Sequence, residues 1–345
     1  MRYHELGNTG VKVSELCLGT MTFGRQNTQS DAFEQLDRAL AAGINFIDTA
    51  EMYPVPPESH TSGETERIIG NWLQKKGRRQ DLILASKVIG KGDWLSHIRG
   101  GKSMPDRENI LQALEGSLGR LKTDYIDLYQ IHWPARETNY FGQLGFSPVP
   151  EDAPVSIENT LKALAEIVAS GKVRFIGVSN ETPWGVMQYL HWSQVLNLPR
   201  IVSIQNPYSM LNRTFEVGLA EIAYREKVGL LAYSPLAFGT LSGKYLDGKP
   251  ANARLSLFPE YNRYASPEGI TATKAYVELA RNQGLSAAKM ALAYINSRPF
   301  LTSNIIGATT LSQLDENIDS ANLNLDEEII RKIEAIHRRM PNPCP

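Results

Sequence analysis

Cysteine is almost absent: Cys17 and Cys344 are the only two in 345 residues. Two thiols cannot build a disulfide framework or a four-thiolate zinc site. An excess of charge is missing too, because 36 Lys and Arg stand against 37 Asp and Glu, a formal net charge of −1. That balance argues against nucleic acid as a partner, which calls for a strong or clustered positive field. No uncharged apolar run reaches the length of about 18 residues that a membrane span needs. The start, Met1-Arg2-Tyr3-His4-Glu5, has no signal-peptide character. Six histidines are present, but no His-x-His or His-Glu-x-x-His occurs, so a metal-dependent hydrolase is disfavoured and no metal site is expected. No Gly-x-Gly-x-x-Gly follows an early strand pattern. With 42% hydrophobic and 21% charged residues the composition is that of an ordinary globular chain. The expectation is a cytoplasmic protein that binds neither membrane nor nucleic acid. Its oligomeric state is not legible.

Eight short apolar runs are present, at 13–18, 45–48, 82–86, 126–131, 175–178, 202–205, 229–233 and 304–307. Helical patterns lie between them, at 32–42, 65–76, 107–121, 157–170, 183–196, 216–226 and 286–297. Several runs are apolar throughout rather than alternating, which suits strands covered on both faces. Eight strand–helix units predict either a doubly wound open sheet or a closed (β/α)8 barrel. The even spacing, and the lack of the glycine-rich dinucleotide turn, favour the barrel. We therefore expect an α/β fold, a TIM barrel spanning 1–345 as one domain. An ordinary barrel takes about 250 residues, which leaves roughly 95 in surplus. They fall at 52–63, 89–107, 133–156 and 237–269, all after strand C-terminal ends, the face where barrels build active sites. Residues 1–13 read as a hairpin turning at Gly7-Asn8-Thr9-Gly10, a plug for the opposite end.

Polar residues at strand ends are then the candidates for chemistry. Asp48 closes the second run, and Tyr53 follows on the next loop. Lys87 closes the third run and His132 the fourth. Any one of them alone is more often a satisfied structural residue. On three neighbouring strands of a barrel, however, an acid, a phenol, an amine and an imidazole would face one another. An ammonium beside a phenol favours phenolate and lowers its pKa from about 10. Asp48 would hold Lys87 charged, Tyr53 would give a proton to a carbonyl oxygen, and His132 would orient that carbonyl. Such a site supplies no electrons, so it needs a hydride donor, of which a nicotinamide is the simplest.

The segment Asn45-Phe46-Ile47-Asp48-Thr49-Ala50-Glu51-Met52-Tyr53 resembles the signature of the aldo-keto reductase superfamily around its aspartate and tyrosine. Gly63-Glu64-Thr65-Glu66 with Ile69-Gly70, Ser86-Lys87, and Tyr125-Ile126-Asp127-Leu128-Tyr129-Gln130-Ile131-His132-Trp133-Pro134 resemble the motifs that accompany it. The likeness runs from about Tyr3 to Ile336, and is strongest to the bacterial Tas-type branch and more distant to potassium-channel β subunits. It implies reversible reduction of carbonyls with NADP(H), NAD(H) being less favoured. It assigns catalysis to Asp48, Tyr53, Lys87 and His132. Gly19, Thr20 and Met21 would line the nicotinamide end, together with Asp48. Ser179, Asn180 and Gln205 would bind the carboxamide, and Tyr233 would stack on the ring. Ser234, Pro235, Leu236, Ala237, Gly239 and Leu241 resemble the pyrophosphate loop, with Lys244 and Arg254 as cationic contacts. Gly307, Thr309, Gln313, Glu316 and Asn317 match the adenosine end. Many family members place serine and arginine near the 2′-phosphate where this chain has Thr309 and Gln313, so its charge complement must come from elsewhere, such as Lys244 or Arg254.

Tyr53, Trp94, Trp133, Tyr140, Phe141 and Phe146 are the candidate pocket aromatics, suited to an apolar aldehyde or aryl ketone. No arginine cluster demands an anionic substrate, although Arg99 and Arg136 leave one open. The competing reading is a redox-sensing protein that holds NADP(H) tightly and turns over slowly. Cys17 reads as a small core residue, and Cys344 as part of a mobile tail.

Overall fold

The computed structural model of the chain describes residues 1–147 and 154–345. Its ten strands are β1 (Tyr3–Glu5), β2 (Lys12–Ser14), β3 (Leu16–Gly19), β4 (Phe46–Asp48), β5 (Ile83–Val88), β6 (Ile126–Ile131), β7 (Val173–Ser179), β8 (Ile201–Pro207), β9 (Gly229–Tyr233) and β10 (Leu301–Ile306). β3 to β10 form a closed parallel barrel in chain order, shut where β10 pairs with β3 through Ile305 and Cys17. Each barrel strand is buried almost throughout, which is why the apolar runs do not alternate.

Eleven helices accompany them: α1 (Gln29–Ala41), α2 (Glu64–Lys76), α3 (Arg107–Leu121), α4 (Ile157–Ala169), α5 (Pro183–Leu196), α6 (Phe215–Glu226), α7 (Arg254–Leu257), α8 (Pro267–Asn282), α9 (Ala287–Asn296), α10 (Leu311–Asp319) and α11 (Glu327–Arg339). Their starts are set by side chains that accept the first unpaired amides, as Asp106 does for α3, Thr182 for α5 and Thr310 for α10. No helix among the described residues is long and apolar enough to cross a membrane. The seven expected helices are present. The sequence pattern missed α7, which lies inside the segment read as loop, α8, which starts there, and also α10 and α11.

The run at 13–18 is not one strand. Val13 belongs to β2, antiparallel to β1, and β3 starts only at Leu16. Between them the chain turns at Glu15, whose carboxylate pairs with Arg2 while Ser14 N–H donates to Asn45 Oδ1 at 2.7 Å. The hairpin does plug the barrel. Leu6 enters the interior beside Val13, Cys17, Phe46, Leu128, Val202 and Leu231, none of which leaves more than a trace of surface exposed. Gly7 makes this possible, since its φ of +60° is left-handed and a Cβ there would lie 2.8 Å from Val202 Cβ.

Cys17 sits in this interior cluster as a core residue, and burial pushes its thiol pKa well up. Replacing Leu6 with Ala should cost about 2–5 kcal/mol by opening a cavity at the barrel floor. Urea unfolding would show it as a lower midpoint with an unchanged slope. A midpoint equal to that of the unaltered chain would mean that the hairpin does not close the core.

Candidate active site

The mouth of the barrel is organised by a buried ion pair. Lys87 lies on β5 with no exposed surface, and its Nζ donates to Asp48 Oδ2 at 2.6 Å and to Thr49 O at 2.8 Å. The other oxygen of Asp48 accepts from Gln205 Nε2 at 2.8 Å and from Gln130 Nε2 at 3.3 Å. Four strands thus contribute to one charge network. Burial opposes the ammonium of Lys87, but the Asp48 carboxylate and the Tyr53 phenol outweigh it and lift its pKa above the usual lysine value.

Tyr53 is nearly buried, with its ring centroid 5.0 Å from Lys87 Nζ and edge-on to the His132 ring at 5.7 Å. The sequence led us to expect a phenol tuned downward. The structure corrects this: burial pushes the phenol above its usual pKa, the pull of Lys87 being too small to cancel it, and Asp48 pushes the same way. His132 is fixed by its backbone, its N–H donating to Val88 O at 2.9 Å and its carbonyl accepting from Asn180 Nδ2 at 2.8 Å. Its Nδ1 is buried and meets no partner. Burial, with the nearby Lys87 charge, holds its imidazole well below the ordinary histidine pKa.

These side chains open into a cavity of about 1310 Å³. Every residue expected to hold a cofactor lines it, except Ala237 and Leu241, which are fully buried in the core. Those two side chains pack in the hydrophobic core and anchor the loop that carries Leu236 and Gly239. Asn180 adopts a left-handed φ of +53°, which asparagine tolerates, and its Oδ1 accepts from the Tyr233 hydroxyl at 2.7 Å. Ser179 Oγ donates to Gln205 O at 2.7 Å, which locks the ends of β7 and β8 together. Gly239, at φ +88°, leaves room for Lys244, whose Nζ would lie 2.8 Å from a Cβ at that position.

At the far end, Gln313 folds back so that its Oε1 accepts from both the amide and the hydroxyl of Thr309, at 3.0 and 3.1 Å. Asn317 Nδ2 donates to Gly307 O at 3.1 Å, and Glu316 accepts from Ser286 Oγ at 2.6 Å. Lys244 and Arg254 face the cavity between these regions, and among the described residues neither pairs with a carboxylate. Burial and mutual repulsion lower the pKa of Lys244, and burial lowers that of Arg254. Two cations facing one hollow, Arg254 partly buried and Lys244 exposed, make a site ready for an anion. Among the described residues there is no group of three or more metal-ligating side chains.

Four of the six pocket aromatics are placed as expected. Trp94 stacks on Trp133 at 5.7 Å, Phe141 meets Trp133 edge-on at 5.7 Å, and these three line the cavity with Tyr53. Tyr140 and Phe146 do not. Tyr140 supports Phe141 from behind at 5.1 Å, and Phe146 is 76% exposed away from the cavity. In a loop without regular periodicity, nothing in the sequence sets which way an aromatic turns. Residues 148–153 of the expected 133–156 loop lie outside the described residues. Arg99 and Arg136 are both taken by ion pairs, Arg99 with Glu51 at 2.6 and 2.8 Å and Arg136 with Glu181.

Sequence reasoning missed Arg263, which lines the cavity, and the chain's last residues, Pro343 to Pro345, which line it as well. Cys344 is not in a mobile tail. It is 2% exposed, and its amide donates to Leu211 O at 3.1 Å. No motif pointed to these residues; only the assignment of 237–269 to the active face bounded where Arg263 would fall.

Comparison with known proteins agrees with the motifs. The Aldo/keto reductase family matches residues 15–338. "Protein tas" of Escherichia coli is 54% identical over the whole of both chains. "Uncharacterized oxidoreductase YrpG" of Bacillus subtilis is 34% identical over 97% of this chain and 96% of its own. "Probable voltage-gated potassium channel subunit beta" of Oryza sativa is 31% identical over 99% of this chain and 98% of its own.

Buried beside Lys87, His132 is expected to stay neutral at pH 6, where an ordinary imidazole with a pKa of about 6.5 is largely charged. Ring-nitrogen NMR shifts would report this, and an imidazolium at pH 6 would contradict the geometry. Because its folded pKa is depressed, the unfolded chain takes up a proton that the folded chain refuses. His132 therefore weakens the fold as the pH drops below about 6.5.

Proposed function

The chain belongs to the aldo/keto reductase family, and on that premise we propose that it reduces a carbonyl compound to an alcohol with NADPH. The observation that carries the reading is a single cavity joining the Tyr53–Lys87–Asp48–His132 group to two cations, Lys244 and Arg254, that lack carboxylate partners. A bound nicotinamide supplies the hydride. Ser179, Asn180 and Gln205 are placed to take its carboxamide and the ring of Tyr233 to lie against it. The Ser234–Gly239 backbone, with Lys244 and Arg254, suits the phosphates. Thr309, Gln313, Glu316 and Asn317 suit the adenosine.

The protein's own part in the chemistry is proton management. Tyr53 donates its phenolic proton to the carbonyl oxygen as negative charge grows there. Its raised pKa is compatible with that role. The phenol stays protonated at working pH, and an alkoxide is a far stronger base than a phenolate. Lys87 stabilises the phenolate left behind, and Asp48 keeps Lys87 charged inside the barrel. The neutral imidazole of His132 orients the carbonyl by a hydrogen bond without competing as the acid. Trp94, Trp133 and Phe141 shield the site from water and give it an apolar wall.

Likeness to a channel β subunit supports a second reading, in which the protein holds NADPH and reports its redox state while turning over slowly. NADPH oxidation at 340 nm with a panel of aldehydes and ketones separates the two. Replacing Tyr53 with Phe should lower turnover by about 10²- to 10⁴-fold and leave NADPH affinity intact. Near-normal turnover would remove Tyr53 from proton transfer, and tight NADPH binding without turnover in the unaltered protein would favour the sensor. Replacing Lys244 with Met should weaken NADPH by about 10- to 100-fold and NADH much less. Equal loss for both cofactors would place Lys244 on the pyrophosphate instead.

A further inference from the structure

The cations around the mouth are almost all accounted for. Lys87 is held by Asp48, Lys91 lies against Glu137, Arg99 is gripped by Glu51 and Arg136 by Glu181. Lys244 and Arg254 sit on the loop at Gly239 and Phe238, among the residues suited to the cofactor's phosphates. Among the described residues at the mouth, the guanidinium of Arg263 also has no carboxylate in an ion pair with it.

Arg263 lies between the phenols of Tyr233 and Tyr264 and the loop that carries Phe141. Its guanidinium carbon is 5.9 Å from the centroid of the Phe141 ring and 5.9 Å from that of Tyr264. It lies against Gly142, where a Cβ would come 3.0 Å from its Nε and 3.3 Å from a terminal carboxylate oxygen of Pro345. It is therefore wedged between the loop that follows β6 and the end of the chain, on the side of the cavity that also carries Trp94, Trp133 and Phe141. Among the described residues no carboxylate pairs with it. Of the carboxylates lining the cavity, Asp48 is taken by Lys87 and Gln205, Glu316 accepts from Ser286, Glu260 is exposed, and the terminal carboxylate of Pro345 lies nearby but forms no ion pair with Arg263. Its polar side-chain neighbours are the phenols of Tyr233 and Tyr264, whose pKa values are raised by burial.

We propose that Arg263 is a specificity-determining residue that binds a carboxylate on the carbonyl substrate. The preferred substrate is then an oxo acid or a carboxylate-bearing aldehyde with an apolar, ring-sized body. The argument has two parts. A guanidinium is always charged and presents a planar fork that matches a carboxylate in two hydrogen bonds. A half-buried guanidinium that is in no ion pair also gains more from a charged ligand than from a neutral one of the same shape. The aromatic wall and the cation are adjacent, so one ligand can satisfy both. This inference rests on the carbonyl-reductase reading of the same cavity.

The test uses ortho-, meta- and para-carboxybenzaldehyde, each paired with its methyl ester, which keeps the shape and removes the charge. In the unaltered protein kcat/KM for at least one acid should exceed that of its ester by about 10-fold, and Arg263→Met should lower this acid-to-ester ratio by about 30-fold, mainly through KM. Arg263→Lys should restore part of the ratio. NADPH affinity, measured by fluorescence titration, should not change in Arg263→Met. A ratio that is the same in the two proteins would overturn the proposal. So would an NADPH affinity that falls in step with the ratio, because it would place Arg263 on the cofactor. A second readout does not need turnover: quenching of intrinsic tryptophan fluorescence, to which Trp94 and Trp133 contribute, by each aldehyde in the NADP⁺-loaded protein. If no carbonyl is reduced at all, the reductase reading fails. The acid-to-ester ratio of binding constants, with and without Arg263, still decides whether this wall recognises a carboxylate.

Discussion

A lysine ammonium with no exposed surface, 2.6 Å from an aspartate, is the constraint around which the barrel mouth is arranged. Charge out of water is costly, and a pair repays that cost only when its remaining donors and acceptors are also met. Thr49 O takes a second proton of Lys87, and Gln130 and Gln205 take the second oxygen of Asp48. Gln205 is in turn tied by its backbone to Ser179 and Asn180, and Asn180 to His132 and Tyr233. The residues that would meet the reacting atoms are thus held by one connected polar network rather than one by one. Losing either partner of such a pair generally costs about 3–5 kcal/mol, since the other is left as an isolated buried charge. The network is therefore structural as well as chemical.

The molecule separates the work of its two ends. At the floor the hairpin inserts Leu6 into a dry apolar interior. At the mouth, long loops carry the aromatic wall, the glycine-bearing turn at Gly239 and three guanidinium or ammonium groups that form no ion pair among the described residues. Asp48 and Lys87 are fixed on strands and His132 directly after one, while Tyr53, the aromatic wall and the unpaired cations are carried by loops. This division lets substrate preference change without disturbing the buried pair.

Much of this was legible in the sequence, and the reasons are physical. Strands buried on both faces leave uninterrupted apolar runs, and a polar residue ending such a run has nowhere to point but the mouth. Asp48, Lys87 and His132 were found on that ground. Glu15 broke the run at 13–18 because an ion pair with Arg2 can bury a carboxylate inside an apolar stretch. Tyr140, Phe146 and Arg263 lie on irregular loops, where no period links position to direction. Cys344 is held by one backbone hydrogen bond and by packing, neither of which leaves a mark in composition. The Tyr53 phenol was misjudged in sign because adjacency of residue types says nothing about desolvation, the larger effect here.

The barrel closes by pairing its first strand with its last, Leu16, Cys17 and Leu18 against Asn304, Ile305 and Ile306. Nearly three hundred residues separate those partners, so the contact comes late in folding and carries a large loop-closure entropy. Until β10 arrives, β3 and β9 each present an unpaired parallel edge, the kind of surface that recruits another copy of the same chain. Ring closure is thus also a quality check: a chain interrupted before residue 301 has both edges open and a cavity without the wall formed by Gly307, Thr309, Gln313 and Asn317, and it is more apt to aggregate than to work at reduced rate.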